Sequence, residues 1–262
     1  MLEDKITKLL ETSKSKTSIL IRDIDEGAII YGQDAKKKIV SASIIKVGIM
    51  LCMMEEIRKG RHDLKDEIMV DDILFDSEVF EDGPRSMSIK ELITWMIITS
   101  DNTATNAIIR LLGLEYIDSY LYEQLGLEST RLERYMLDEK AIAFGLINYS
   151  SQHDMFILFK KLYHHEILDD ELSELAIAIL KRQRLQDQLC RYIDYPFSFA
   201  HKTGELDYLN HDVGVLEVDD HRYYIGVFIY DTEDIKGDKK LIGKIGKIIF
   251  DELCTFKKNT GI

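Results

Sequence analysis

Residues 41–46, with the sequence SASIIK, are followed by residues 47–54, VGIMLCMM, which are almost entirely apolar. Ser43 and Lys46 are three residues apart, so both side chains stand on one face of the first turn if a helix starts here. A helix that is apolar on every side belongs in a core. The Ser43 hydroxyl and the Lys46 ammonium at the N-terminus of this helix are therefore either a helix cap beside a solvated lysine or a nucleophile with its base.

Two further polar motifs accompany this pair. Residues 100–102, Ser-Asp-Asn, lie in a polar break between two apolar helical runs, and residues 202–204, Lys-Thr-Gly, lie inside a predicted strand. Singly, the Ser-Asp-Asn motif is explained as a helix cap and the Lys-Thr-Gly motif as an edge-strand lysine. A second Ser-x-x-Lys at residues 13–16 shows how easily one such motif arises by chance. The three motifs together, in this order, favour the nucleophile.

Hydrophobic periodicity predicts strands towards both ends of the chain and helices between them. The predicted order is a helix, a hairpin, a long helical block, three strands and a final helix, at residues 2–12, 17–33, 38–190, 197–231 and 238–257. Each β-region is too small to stand alone. We therefore predict an α+β fold with one five-stranded antiparallel sheet, flanked by the N- and C-terminal helices. Residues 1–37 and 191–262 would form an α/β lobe and residues 38–190 an all-α lobe of a single domain.

Composition limits the partners and the compartment. The net charge of −13 argues against nucleic acid or an anionic membrane as the main partner. Much of the negative charge lies in residues 63–82, which we predict to be a solvated acidic loop; the alternative, a cation site, lacks the spacing of a calcium loop. Three scattered cysteines indicate reduced core residues. No stretch has the length of a signal peptide or a membrane span, so we predict a cytoplasmic protein.

The histidines give no indication of a metal centre. None of the seven lies in an H-E-x-x-H sequence, and the cysteines form no Cys-x-x-Cys pair, so neither a metal nor a cofactor is predicted. His201 and His211 flank the third motif. For both, a polar position at a strand end is favoured over a catalytic role.

The three motifs resemble those of class A β-lactamases and penicillin-binding proteins, which are serine hydrolases. The resemblance extends over most of the chain. It is close at residues 96–109, MIITSDNTATNAII, and includes residues 201–205, HKTGE, and residues 211–214, HDVG. The fold of that superfamily is a five-stranded antiparallel sheet plus a helical lobe, with the site between them. That fold agrees with the arrangement predicted above.

The resemblance implies a role for each motif residue. Ser43 would attack the carbonyl of a β-lactam or related amide and form an acyl-enzyme, while Lys46 takes its proton. Ser100 would pass a proton to the leaving nitrogen. Backbone N–H groups of Ser43 and Glu205 would form the oxyanion hole. The substrate, a small β-lactam or peptide-like molecule, would be bound by Asn102, Lys202, Thr203, Gly204 and Glu205.

This chemistry sets a condition on Lys46. A lysine acts as a base only when its pKa is lowered by burial or by neighbouring positive charge. Lys202 and the N-terminus of the following helix could both supply that charge. We therefore predict a lowered pKa for Lys46.

One part of the pattern departs from class A β-lactamases. These enzymes carry a glutamate after the second motif, ahead of an asparagine, which activates the water for deacylation. The matching residues here are 132–138, LERYMLD. The direct register puts Met136 at the glutamate position. A shifted register, one residue too long, gives the role to Glu133 with Asp138 as the asparagine; alternatively, Glu133 is a surface acid paired with an arginine.

The predicted function follows from this departure. The acylation machinery is complete, so we expect an acyl-enzyme on Ser43 with slow deacylation. Two alternatives stay open: a penicillin-binding or sensing module without turnover, and a cytosolic amidase or esterase on the same scaffold.

Overall fold

The computed structural model describes residues 2–11 and 13–255. Residues 1, 12 and 256–262, which the predicted lobes or terminal helices included, lie outside the described part. The helices are α1 Leu2–Leu10, α2 Lys46–Arg58, α3 Ile89–Ile98, α4 Asn102–Leu112, α5 Leu114–Ser119, α6 Glu139–Ala143, α7 Gln152–Tyr163, α8 Asp170–Leu180 and α9 Ile235–Thr255. The strands are β1 Lys16–Asp23, β2 Ile29–Gln33, β3 Ile39–Val40, β4 Glu67–Val70, β5 Arg85–Ser88, β6 Tyr149–Ser150, β7 Ser198–Leu206, β8 Leu209–Val218 and β9 His221–Tyr230.

The large sheet has five strands in the order β2-β1-β9-β8-β7, and every neighbouring pair is antiparallel. The predicted five-stranded antiparallel sheet and the α+β class are therefore confirmed. Strand β7, which carries the Lys-Thr-Gly motif, is at one edge. An edge strand has backbone groups on one side that no other strand engages, and these are available to a site.

The sheet separates two apolar cores. Along β1, Ile19 and Ile21 pack towards α1 and α9, whereas Leu20 between them packs towards the helical block. This alternation follows from the two-residue period of a strand, with apolar residues on both faces because both faces are covered. Burying one such side chain fully stabilises the fold by about 1.5–3 kcal/mol.

Helix α2 is the centre of the helical block. Residues 47–54 are all buried, which confirms the expectation of a core helix. A single 3₁₀ turn, Ala42–Ile45, precedes α2. Residues at i and i+3 eclipse one another in such a turn, so it brings Ser43 and Lys46 to the same side. Gly60, with a φ of +71°, ends the helix in the left-handed conformation expected of its position.

Two small sheets were not predicted. Strands β3 and β6 pair just before the 3₁₀ turn, and β4 pairs with β5 beside the acidic stretch. The segment 63–82 is therefore a loop only in part, because Glu67–Val70 is a strand. The division into two lobes at residues 37 and 191 stays a prediction.

Candidate active site

A cleft of about 510 Å³ opens where the 3₁₀ turn, the start of α4 and the β7–β8 hairpin meet. The loop segment before β6, residues 125–148, which includes the short helix α6, lines its other side. The lining residues are Ala42, Ser43, Phe75, Asp76, Asn102, Arg134, Met136, Leu137, Ile142, Asn148, Glu205, Leu206, Asp207 and Tyr208. Of the residues predicted from the sequence, Ser43, Asn102 and Glu205 line the cleft directly.

Ser43 lies in the 3₁₀ turn, partly exposed to the cleft. Its neighbour Ala42 has a φ of +44°, a conformation that costs an alanine about 1–2 kcal/mol. The turn is pressed against β7 at Gly204, where an added Cβ would meet the Ala42 Cβ and the Ser41 carbonyl oxygen at 3.2 Å. Glycine in the third motif is therefore explained by close approach of the strand to the serine turn.

Lys46 lies behind Ser43 and is fully buried. Its Nζ donates to the Ser100 carbonyl oxygen at 2.6 Å, to Ser100 Oγ at 3.2 Å and to Asn102 Oδ1 at 2.7 Å. Burial lowers the pKa of Lys46 to about 7, against the opposing charges of Asp101 and Asp76. The lysine is thus half neutral near pH 7, and its contacts join the first motif to the second.

The second motif forms the turn between α3 and α4. Asp101 caps α4, since its Oδ1 accepts from the Ala104 N–H at 2.7 Å, and Ser77 Oγ donates to its Oδ2 at 2.5 Å. Ser100 has a φ of +61°, a left-handed conformation that turns its carbonyl and hydroxyl towards Lys46. The cap explanation is therefore correct for Asp101, while Ser100 contacts Lys46 and its catalytic role stays a prediction.

Asp76 is a site residue that the sequence did not reveal. Its Oδ2 accepts from Asn102 Nδ2 at 2.6 Å, which leaves Asn102 Oδ1 pointing at Lys46. Asp76 belongs to the acidic stretch that was predicted to be merely solvated. No local signal distinguishes it from its acidic neighbours, because the contact depends on how that loop folds back over α4.

Lys202 is fully buried in β7, so the alternative of a solvated edge lysine is wrong. Its Nζ donates to the Thr203 carbonyl oxygen at 2.8 Å. Burial, followed by the charge of Lys46, holds the pKa of Lys202 well below its usual value, while Asp212 acts to raise it. The predicted lowering of the Lys46 pKa is confirmed, but its cause is burial and not the charge of Lys202. The repulsion between the two lysines instead lowers the pKa of Lys202.

His201 and His211 are not polar residues at strand ends; both are buried within the sheet. His201 Nδ1 lies 2.8 Å from Asp212 Oδ1, and Asp212 Oδ2 accepts from the Leu189 N–H at 3.0 Å. His211 Nε2 lies 2.9 Å from the carbonyl oxygen of Val40, next to the serine turn. These contacts hold the strands that carry the third motif in place.

Thr203 is buried beside Lys202, and Glu205 lies at the exposed end of the motif. The Glu205 carboxylate pairs with Lys239 of α9 at 2.6 Å. What Glu205 offers the cleft is its place on the edge strand.

Met136 and Glu133, the two residues considered for the position of the deacylating glutamate, both belong to the loop on the far side of the cleft. Met136 lines the cleft, and Asn106 holds its backbone from α4 at both the N–H, at 2.8 Å, and the carbonyl, at 3.1 Å. Glu133 is not among the lining residues, and its Oε2 accepts from the Ile147 N–H at 3.0 Å. The structure thus brings Met136, and not Glu133, to the cleft.

Comparison with solved structures shows the fold. A β-lactamase from Chitinophaga pinensis superposes with a TM-score of 0.87 at 19% identity, over 96% of this chain and 99% of that chain. PBP-A superposes with a TM-score of 0.86 at 23% identity, over 98% and 96%. A mutant of PBP-A, solved as an acyl-enzyme complex with penicillin G, gives 0.85 at 22%, over 98% and 96%.

Sequence comparison shows the family. Residues 1–253 match the model of the beta-lactamase enzyme family, and the chain belongs to this family. It is 25% identical over 259 residues to beta-lactamase OXY-2 of Klebsiella oxytoca, covering 96% of this chain and 89% of that protein. A D-alanyl-D-alanine carboxypeptidase of Bacillus subtilis is 26% identical over 162 residues, which cover 58% of this chain and only 40% of the carboxypeptidase.

In the described part of the chain, no helix is both long enough and apolar enough to cross a bilayer. Within residues 2–11 and 13–255, no group of three or more histidine, cysteine, aspartate or glutamate side chains is placed to hold a metal ion.

Proposed function

We propose that this protein is a serine hydrolase that opens a β-lactam or related amide through an acyl-enzyme on Ser43. The observation that carries the proposal is Lys46, buried beside the serine turn with a pKa of about 7. A serine hydroxyl becomes a competent nucleophile when a group near its own turn can take the proton at the working pH. Within the described residues Ser43 Oγ makes no hydrogen bond, so the proposed transfer requires it to approach Lys46 Nζ when the substrate binds.

The acylation step uses the contacts around Lys46. Neutral Lys46 Nζ takes the proton of Ser43 Oγ while the oxygen attacks the carbonyl carbon, and the carbon–nitrogen bond then breaks. Ser100 Oγ, 3.2 Å from Lys46 Nζ, passes a proton to the leaving nitrogen and regains one from Lys46. Lys202 and Thr203 at the neighbouring strand edge would bind the substrate carboxylate. Asn102 would bind the amide of the acyl side chain.

Release of the acyl group is proposed to be slow. Deacylation needs a base that takes a proton from water, and the Met136 thioether, which lines the cleft, is at most a weak acceptor. The same observation favours a second candidate function, a penicillin-binding protein that acylates and retains its ligand. The partial similarity to a carboxypeptidase is consistent with that candidate.

Intact-mass spectrometry after mixing with benzylpenicillin tests both candidates. We expect a covalent adduct on the wild type that persists over many minutes, and none on Ser43→Ala. Ser13→Ala is the matched control, because Ser13 begins the other Ser-x-x-Lys and lies outside the cleft. Hydrolysis of a chromogenic cephalosporin is followed in parallel.

The outcomes support or contradict the β-lactam proposal and slow release of the acyl group. A lasting adduct with little cephalosporin turnover supports slow deacylation or retention. Rapid turnover without a detectable adduct contradicts slow deacylation and requires a base other than Met136. Absence of both adduct and turnover contradicts the β-lactam proposal.

A further inference from the structure

Arg134 is a charged side chain that no step of the proposed reaction uses. It belongs to the loop that closes the cleft, lines the cleft itself, and is only 9% exposed. The structure pairs it with no carboxylate in the described part of the chain, and burial lowers the pKa of Arg134, against the opposing influence of Tyr208 and Asp138.

The guanidinium is largely unsatisfied. Nη1 donates to the Tyr135 carbonyl oxygen at 2.9 Å, and buried Nε has no hydrogen-bond partner in the described residues. A buried donor without a partner costs about 1–3 kcal/mol. An arginine has five N–H donors in a planar fork and stays protonated in proteins, so most of its binding capacity is unused here.

The hold on the loop does not require the arginine side chain. Asn148 does that through the backbone: its Oδ1 accepts from the N–H groups of Glu133 and Arg134 at 2.8 and 3.1 Å, and its Nδ2 donates to the Arg134 carbonyl at 3.1 Å. Apart from the Nη1 bond to Tyr135, the guanidinium makes no hydrogen bond to the loop within the described residues, which leaves its other N–H groups for a ligand.

The surroundings define the ligand. Two of the three carboxylates that line the cleft are engaged, since Asp76 accepts from Asn102 and Glu205 pairs with Lys239. Apolar side chains that line the same cleft would contact the body of an acyl group; they are Phe75, Met136, Leu137, Ile142 and Leu206. Arg134 is the one arginine or lysine among the lining residues.

We infer that Arg134 is a specificity-determining residue that binds a carboxylate on the acyl side chain of the substrate, with an apolar group beside it. A carboxylate accepts two parallel N–H groups of a guanidinium, which supplies both charge and the missing hydrogen bonds. This inference rests on the proposed acylation at Ser43 for its kinetic consequence, but the binding itself does not require the reaction.

Benzylpenicillin and carbenicillin test the inference, because they differ by one carboxylate on the acyl side chain. The second-order rate constant of adduct formation is measured for both by intact mass. In Arg134→Gln we expect the carbenicillin-to-benzylpenicillin ratio to fall about tenfold relative to the wild type, as for loss of one charge-assisted contact. Arg134→Lys should retain part of the preference.

Arg131→Gln is the matched control. Arg131 belongs to the same loop but stacks on Tyr122 at 3.9 Å and does not line the cleft. The same change in net charge there should leave the ratio unchanged. An equal loss for both penicillins in Arg134→Gln, or an unchanged ratio, overturns the inference and makes Arg134 a structural residue.

Calorimetric titration keeps the inference testable if acylation fails. Ser43→Ala and the double variant Ser43→Ala/Arg134→Gln are titrated with the two penicillins. Tighter binding of carbenicillin to Ser43→Ala, lost in the double variant, supports the inference even where the wild type forms no adduct. Equal binding of the two penicillins to Ser43→Ala overturns it, even where the wild type is acylated normally.

Discussion

The two sides of the cleft are held together in different ways. On the side of Lys46, side chain meets side chain: Nζ contacts Ser100 and Asn102, and Asn102 contacts Asp76. On the loop side, asparagine side chains hold the backbone: Asn106 contacts residue 136, and Asn148 contacts residues 133 and 134. Substitutions on the first side should therefore disable acylation, whereas substitutions on the second should change what is bound or how long it stays.

The largest expected effect is on the first side, in Lys46→Ala. Removing the proposed base should slow adduct formation with benzylpenicillin by about 10³-fold, the usual range for general-base catalysis. Lys16→Ala is the control, since Lys16 ends the other Ser-x-x-Lys and pairs with exposed Asp231 where β1 begins and β9 ends. A rate within tenfold of the wild type in a folded Lys46→Ala variant would show that another group takes the proton.

On the loop side, Met136→Glu should place a carboxylate where the methionine now lines the cleft. A carboxylate at this position can take a proton from water, so the adduct should disappear about 10²-fold faster while its formation changes little. Met136→Gln is the neutral control and should not shorten the adduct. Glu133→Gln should leave the lifetime of the wild-type adduct unchanged; a longer lifetime in that variant would return the deacylating role to Glu133.

The smallest effect is a shift in pH dependence. If neutral Lys46 is the base, with a pKa of about 7, acylation should fall about tenfold per pH unit below that value and level off above it. The charge of Asp76 raises this pKa, so Asp76→Asn should lower it and move the acidic limb to lower pH. A stopped-flow pH profile checks both; a limb that stays in place, or moves to higher pH, contradicts the link between Asp76 and Lys46.

The fold and the chemical motifs were accessible from the sequence because their signals are local. The apolar run after Lys46 predicted a core helix, and the alternating runs after residue 196 predicted three strands. The three motifs lie at a turn, at a helix junction and in the edge strand β7. Polar residues beside apolar runs indicate such positions in the sequence. Their roles in catalysis stay predictions.

What the sequence could not give depends on contacts between distant segments. Asp76 reaches Asn102 only because an acidic loop folds over α4, and Tyr208 faces Arg134 only through the β7–β8 hairpin. Asp212 on the neighbouring strand likewise contacts buried His201 and acts to raise the pKa of buried Lys202. A charged residue in a strand predicts exposure, and only the packed sheet reverses that expectation.

The hold of Asn106 on Met136 has a consequence for how such proteins diverge. Asn106 contacts only the N–H and the carbonyl of residue 136, so these two bonds depend on no side chain there except that proline would remove one, whereas the Met136 side chain itself packs in the core and limits which replacements fit. Under the proposed function, exchange of this one side chain for a base of similar volume would convert a protein that keeps its acyl group into one that releases it. The shape of the loop would be inherited separately from its chemistry.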